Sequence, residues 1–232
     1  MYYSMDIHIK SCVEGARQAE GTVVIIDVFR ASNTIITLLG QGADSIIAVD
    51  TLEKAYALKK QNPDHLLFGE RNGLPPAGFD YGNSPAETAT LNLSGKKIIL
   101  TTSNGTQGIV NASRAQEILV GSFANAAALT RYISTKQPSV VTLVAMGFED
   151  ATPAEEDERC AHYLKELFQG RKPDFSPVKQ ALLHCAYAEK LRGLHQDADL
   201  AFCLMSDTYT VIPRVIQMRP YPMLKNADRT SS

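Results

Sequence analysis

No stretch of this chain is apolar for long enough to cross a membrane as a helix. The most apolar runs, Thr22–Phe29 and Val140–Phe148, are under ten residues, against the roughly 20 that a span needs. Neither sign of charge dominates. Lys and Arg total 23 against 25 Asp and Glu, a formal charge of −2, which argues against a nucleic-acid binder working by broad phosphate neutralisation. A local cationic pocket is still allowed. Cysteines are few, and Cys12, Cys160, Cys185 and Cys203 lie 148, 25 and 18 positions apart, matching neither a zinc pair nor a redox CxxC. Reduced thiols are the expectation. The histidines, His8, His65, His162, His184 and His195, form no HxH or HExxH pair, so a zinc or non-haem iron centre has no support. The opening Met1-Tyr2-Tyr3, with an acid at Asp6, lacks a basic leader and an apolar core segment, so a cytoplasmic protein is expected. The sequons at Asn92, Asn104 and Asn111 are then chance matches.

What remains is an ordinary folded composition. Of 232 residues, 44% are hydrophobic and 21% charged, which excludes disordered, collagenous and coiled-coil classes. The length allows one large domain or two small ones. No linker is long or polar enough to mark a boundary, so a single domain over 1–232 is expected. Thr22–Val28 is a continuous β-branched run, the mark of a buried strand. Ile35–Leu39 then marks a short helix ending at Gly40 and Gly42. Strand signals recur at Ser45–Val49, Leu66–Gly69, Lys97–Thr101, Glu117–Val120 and Val140–Ala145, with helices at Thr51–Lys59, Gly105–Ala112 and Asn125–Ile133 between them. This alternation implies parallel pairing through crossovers. Beyond Gly147 the texture turns helical, with candidates at Pro153–Phe168 and Val178–Leu194 before a last strand at Val211–Met218. The spacing therefore predicts an α/β fold, three-layered α/β/α, with a largely parallel or mixed sheet and a more helical C-terminal third.

In open α/β sheets the ligand crevice lies beyond the carboxyl ends of the strands. There this sequence places Asp27, Arg30 and Ser32, then Glu70 and Arg71, then Thr101, Thr102, Asn104, Gly105 and Thr106. Asp27 closes an apolar strand, where an ionised carboxylate calls for a cation or a proton-transfer task; a capping or Arg30-paired aspartate is the alternative. Arg30 with a helix start at Ser32 suits an anion, although Ser32 reads equally as a simple N-cap. Glu70-Arg71-Asn72-Gly73 reads either as site residues or as a surface ion pair entering a turn. Thr101–Thr106 has the composition of an anion nest or of a plain Asn-Gly turn; no Walker motif is present. Thr152-Pro153-Ala154-Glu155 reads as N-cap, N1 proline and capping-box glutamate, which gives Glu155 a structural role. Asp157 precedes Cys160, Ala161 and Leu164 at intervals of three, four and seven, which puts it on the core-facing stripe. An ion needing only one or two carboxylates, such as Mg2+, suits this set.

Five ordered motifs, VVIIDVFRASNTI from Val23, GERNG from Gly69, GFDYGNSPAE from Gly78, TTSNGT from Thr101 and GSFANA from Gly121, resemble the 2-phosphosulfolactate phosphatases, an α/β family of Mg2+-dependent enzymes. The resemblance implies that Asp27, Arg30, Glu70, Arg71, Asp80, Asn83, Ser84, Thr101, Thr102, Asn104, Gly105 and Thr106 line the active site. Glu156, Asp157 and Cys160 look like the family's acidic pair and following cysteine, and Asp199, Cys203 and Asp207 like its C-terminal signature. The chain departs from the family at AMGFEDATPAEED from Ala145 and at His162, where many members have glycine.

The expected activity is hydrolysis of a phosphate monoester of a small anionic hydroxy acid. Asp27, Glu70 and Asp157 are the candidate Mg2+ ligands, with Asp27 as a nucleophile forming an aspartyl-phosphate as the alternative, and Asp27, Arg30, Glu70, Arg71 and Asp157 are the candidate catalytic set. Ser32, Asp80, Asn83, Ser84 and the Thr101–Thr106 loop are the candidate substrate contacts. A non-catalytic protein that senses a phosphorylated or sulfonated metabolite is the rival reading. Gln217–Leu224 is a candidate surface for docking a second copy, so a homodimer stands as an expectation, with neither nucleic acid nor membrane as partner.

Overall fold

The computed structural model describes residues 5–148 and 152–227. Nine strands form one sheet. They are β1 (Asp6–Ser11), β2 (Gly21–Ile26), β3 (Ser45–Ala48), β4 (Leu66–Gly69), β5 (Lys97–Thr101), β6 (Ala115–Gly121), β7 (Val140–Ala145), β8 (Pro213–Gln217) and β9 (Met223–Asn226), in the spatial order β1-β7-β2-β6-β8-β9-β3-β5-β4. Ten helices accompany them: α1 (Cys12–Arg17), α2 (Ala31–Gly40), α3 (Leu52–Gln61), α4 (Pro85–Thr88), α5 (Gly105–Asn111), α6 (Ala126–Lys136), α7 (Glu155–Phe168), α8 (Phe175–Leu182), α9 (Ala186–Gly193) and α10 (Asp197–Cys203). This is the expected mixed α/β architecture. Among the described residues no helix is long and apolar enough to cross a membrane.

The run GTVVII makes β2 because every one of its residues is buried, as a strand covered on both faces requires. Its side chains alternate between two cores. Val24 and Ile26 pack with α6 to α10, whereas Val23 and Ile25 pack with Ile35, Ile36, Leu38 and Leu39 of α2 and Ile109 of α5. The second of these cores also holds Ile46, Phe68, Ile98 and Leu100 from β3, β4 and β5. One set of helices is thus shared by both ends of the sheet, which curls around it. On the far face, α3 covers Leu67 and Ile99.

The sheet consists of two parallel groups, β1-β7-β2-β6 and β3-β5-β4, joined by the antiparallel hairpin β8-β9. Three successive antiparallel pairings leave the second group running opposite to the first along the ladder. Their carboxyl ends nevertheless meet. Twist of about 20–25° per neighbouring pair accumulates over the five steps from β2 to β5 and turns the two sets of strand ends towards one place. The 217–224 stretch, expected as a docking tail, instead spans the end of β8, its turn and the start of β9. Met223 and Leu224 pair with Ile47 and Ile46 of β3, because their backbone is needed to close the ladder between the two groups. The expected Val178–Leu194 helix is two, α8 and α9, while β1, α1, α10 and β9 carried no expectation. The end residues 228–232 lie outside the described set.

Candidate active site

Asp27 leaves the end of β2 and is buried, 7% exposed. Its Oδ1 accepts from the Ala31 amide at 3.1 Å, and its Oδ2 faces Gly105 at the start of α5. A Cβ on Gly105 would stand 2.9 Å from that oxygen and 2.5 Å from the Ala31 Cβ, so only glycine lets the β5 end approach the β2 end this closely. Ser32 closes the same turn by accepting from the Asp27 amide at 2.9 Å. It is not the N-cap of α2, a position held by Arg30 after a cis Phe29–Arg30 peptide, and its hydroxyl is spent inside the turn.

Three other acids gather near Asp27. Glu70, 6% exposed, accepts the Gly73 amide on Oε2 at 2.8 Å and the Ser103 amide on Oε1 at 2.7 Å. It makes no side-chain ion pair with Arg71, whose Nη1 donates to the Glu70 carbonyl instead. Asp157, in the first turn of α7, accepts the Val28 amide at 2.7 Å and the Gly147 amide at 3.0 Å, one on each oxygen. It thereby clips the ends of β2 and β7 to α7. Glu156 beside it is buried, with the Cys185 thiol 3.8 Å from its Oε2.

Burial raises all three of the Asp27, Glu156 and Asp157 carboxyls, and the negative charge each presents to its neighbours adds to the rise. Asp27 stands at about 6, with Glu70 the repelling neighbour. Glu156 stands at about 7, repelled by Asp27, and Asp157 is held well above the carboxylate range by burial, then by Glu156 and Asp27. Burial and mutual repulsion thus favour the protonated forms of these carboxyls, despite the amides that Asp27 and Asp157 accept. No set of three or more His, Cys, Asp or Glu among the described residues is arranged to hold a metal ion by itself. The expected Asp27, Glu70 and Asp157 triad is therefore not a preformed cage, because the oxygens of Glu70 and Asp157 are already turned to backbone amides.

Beside this cluster lies a cavity of about 370 Å3. Its walls include Glu70, Arg71, Ser103, Asn104, Gln107, Phe148, Tyr187 and Lys190. Asp27, Arg30 and Asp157 are not in the lining, yet the Tyr187 phenol feels the first two. It is raised by burial first, then by the charges of Asp27 and Glu70, and so remains an O–H donor at working pH. Arg71 is fixed by donating through Nη2 to Thr101 Oγ1 at 2.8 Å. Asn104 presents a buried Oδ1 without a partner among the described residues.

Several expected contacts are engaged within the chain. Arg30 is no free anion clamp. Its Nη1 donates to Asp199 Oδ2 at 2.8 Å and its Nη2 to the Gly73 carbonyl at 2.9 Å. The TTSNGT loop is not an open nest either. Thr102 and Thr106 bond each other's amides and hydroxyls, while the Ser103 amide goes to Glu70. An amide given to a carboxylate is not free for a phosphate. Asp80 turns to the Leu67 amide at 2.7 Å and to Lys59 at 3.2 Å. Ser84 caps α4 and donates to Asp199 Oδ1 at 2.6 Å. Asn83, buried with Oδ1 unpartnered among the described residues, shares a second cavity of about 230 Å3 with Arg30 and Ser84.

Asp207 accepts the Ala127 amide at 2.7 Å at the start of α6, and Cys160 and Cys203 are buried. In GSFANA, Asn125 ties β6 to the Val211 carbonyl at 3.0 Å. Thr152 is not a cap: its amide and carbonyl bridge to Phe148, and α7 starts at Glu155, which pairs with Arg159 at 2.7 Å. Within the divergent segment, residues 149–151 lie outside the described set.

Tyr187, Lys190 and Phe148 were not expected at the site. Tyr187 and Lys190 are three apart on one helix face, a legible pairing, but only the docking of α9 beside the end of β7 brings Phe148 to them.

Fold and site together define the class, an α/β protein with its acid–base groups gathered beneath a cleft at converging strand ends. A sequence profile described as 2-phosphosulpholactate phosphatase matches residues 7–217. A relative from Thermotoga petrophila, described as "Probable 2-phosphosulfolactate phosphatase", is 35% identical over 207 residues, covering 84% of this chain and 89% of its own. A protein of the same description from Carboxydothermus hydrogenoformans is 31% identical over 223 residues, covering 90% and 92%. One from Thermoplasma acidophilum is 32% identical over 203 residues, covering 84% and 86%. The chain belongs to the 2-phosphosulpholactate phosphatase family, and as such is a phosphoric monoester hydrolase.

Proposed function

We propose that this chain hydrolyses 2-phosphosulfolactate to 3-sulfolactate and inorganic phosphate, and that it does so with Mg2+. One observation carries the reading: Asp27, buried and held at about 6, lies beside a cavity walled by Glu70, Arg71 and Lys190, so acids adjoin cations at one cleft. Mg2+ fits this arrangement. The Asp27, Glu156 and Asp157 carboxyls crowd negative charge into a buried space, and the ion needs only one or two protein carboxylates beside water and phosphate oxygens. Asp27, repelled by Glu70 and itself repelling Glu156, would hold it, and Glu70 at the cavity wall would join only through a lone pair that its bonds to the Gly73 and Ser103 amides leave over. When bound, the ion neutralises charge on the phosphoryl oxygens.

The chain's own residues supply the rest. Arg71, fixed through Thr101 and the Glu70 carbonyl, orients the phosphate. Tyr187 donates its O–H to an anionic oxygen in the cavity it helps to line. A water oxygen bonds to phosphorus as the ester P–O bond breaks, and the proton that the water loses ends on the departing hydroxy-acid oxygen.

The test is phosphate release from 2-phosphosulfolactate, phospholactate, phosphoglycerate and an aryl phosphate, with Mg2+ and with EDTA, beside Asp27→Asn. Mg2+-dependent release from 2-phosphosulfolactate, lost in the variant while its fold is retained, supports the reading. Release only from another ester discards the substrate and keeps the chemistry. Tight binding without release returns the anion-binding alternative.

A further inference from the structure

The cavity has two cationic walls built in different ways. Arg71 is anchored, with Nη1 on the Glu70 carbonyl and Nη2 on Thr101. Among the described residues Lys190 is held only by ring faces: its Nζ stands 4.3 Å from the Phe148 centroid and 5.3 Å from the Tyr187 centroid. Those two rings meet edge to face at 5.5 Å. Among the described residues Lys190 makes no ion pair, whereas Lys54, the lysine near the same cavity through Asp50, is paired at 2.6 Å. Aromatic faces attract an ammonium without consuming its N–H donors. Among the described residues, then, nothing takes up the ammonium donors that Lys190 presents to the cavity over an apolar shelf.

We propose that Lys190 is the specificity residue for the sulfonate of the substrate, one of the two anions, with the carboxylate, that are not transferred; this rests on the phosphatase reading above. The chemistry divides the two cations. A planar guanidinium fork matches a bidentate partner, whereas an ammonium is a point charge with three rotatable donors. Lys190 thus suits a tetrahedral three-oxygen head whose carbon stem lies against Phe148 and Tyr187. The anchored Arg71 is left to the phosphate. Phospholactate, which carries hydrogen where this substrate carries the sulfonate, leaves the ammonium facing nothing, and the site discriminates against it by that loss.

The experiment compares wild type, Lys190→Met and Lys190→Arg on 2-phosphosulfolactate and on phospholactate, which differ by the sulfonate. For Lys190→Met, the preference for phosphosulfolactate, as the ratio of kcat/KM values, is expected to fall about ten-fold or more. The change should lie mainly in KM, and Lys190→Arg, which keeps the charge but not the ammonium's donor geometry, should restore part of it. Calorimetric titration with the product 3-sulfolactate should show the same weakening in Lys190→Met. An equal fall on both substrates, or a ratio that does not move, overturns the assignment of Lys190 while leaving the phosphatase reading in place. Failure of the wild-type protein to release phosphate from either substrate overturns both.

Discussion

Arg30 and Asp199, 169 positions apart, form an ion pair at 2.8 Å with their side chains only 2% and 1% exposed. Asp199 also accepts from the Ser84 hydroxyl and the Ala86 amide on its other oxygen. The pair thus joins α10 to the start of α2 and to the Gly- and Pro-rich loop before α4. Removing one partner of a buried pair strands the other charge. Asp199→Ala is expected to cost about 3–5 kcal/mol in urea unfolding, and the double variant Arg30→Met with Asp199→Leu to recover part of that. Equal losses in the single and double variants would show that the charge itself is not the issue.

Gly105 is the contact point between the two strand groups. In Gly105→Ala the new Cβ meets backbone-held neighbours at 2.5 and 2.9 Å, so α5 must move off Asp27. Overpacking of this kind costs about 1–3 kcal/mol, and turnover should fall by more than the fraction unfolded explains. Thermal melts beside kcat at a temperature where both proteins are folded will separate the two effects.

Asp27 and Glu156 hold protons to about 6 and about 7 when folded, against ordinary values of 3.8 and 4.5. Across that window the folded chain binds more protons than the unfolded one, so the contribution of these groups to stability falls as pH rises. In EDTA, the wild type should lose stability between about pH 4 and pH 7, and Glu156→Gln should lose less and melt higher at the upper end. Mg2+ should restore wild-type stability there by supplying the missing positive charge. A variant that tracks the wild type at every pH would remove Glu156 from the coupled cluster.

Tyr187→Phe keeps the ring beneath Lys190 and deletes only the hydroxyl, whose proton is retained through burial and the nearby charges of Asp27 and Glu70. A drop of about ten-fold or more in kcat/KM is expected for losing a hydrogen bond to a charged oxygen. Steady-state rates that match the wild type would make Tyr187 a packing residue.

Local pattern was enough for the elements whose burial is written in consecutive residues. The unbroken GTVVII run declares a strand covered on both sides, and Leu66–Gly69, Lys97–Thr101 and Val140–Ala145 form where their apolar runs lie. The same reading placed Asp27, Glu70 and Asn104 just past strand ends, since the break from apolar to polar residues marks the exit from the core. The motifs in those turns also carried the family, which the profile match over residues 7–217 bears out.

Tertiary structure decided what depends on partners distant in the chain. Met223 and Leu224 form a strand because β3 and β8 offer unpaired backbone on either side, and nothing in their local sequence demands it. The reversal of the β3-β5-β4 group was equally hidden, because hydrophobic periodicity specifies a strand's faces and not its direction. Most of all, the sequence places carboxylates without saying what their oxygens meet. Asp157 finds the Val28 amide 129 positions away, Arg30 finds Asp199, and Lys190 finds Phe148. Each fate is set by which backbone donors, charges and rings the folded chain brings within a few ångströms, and hydrogen bonding and desolvation act only at that range.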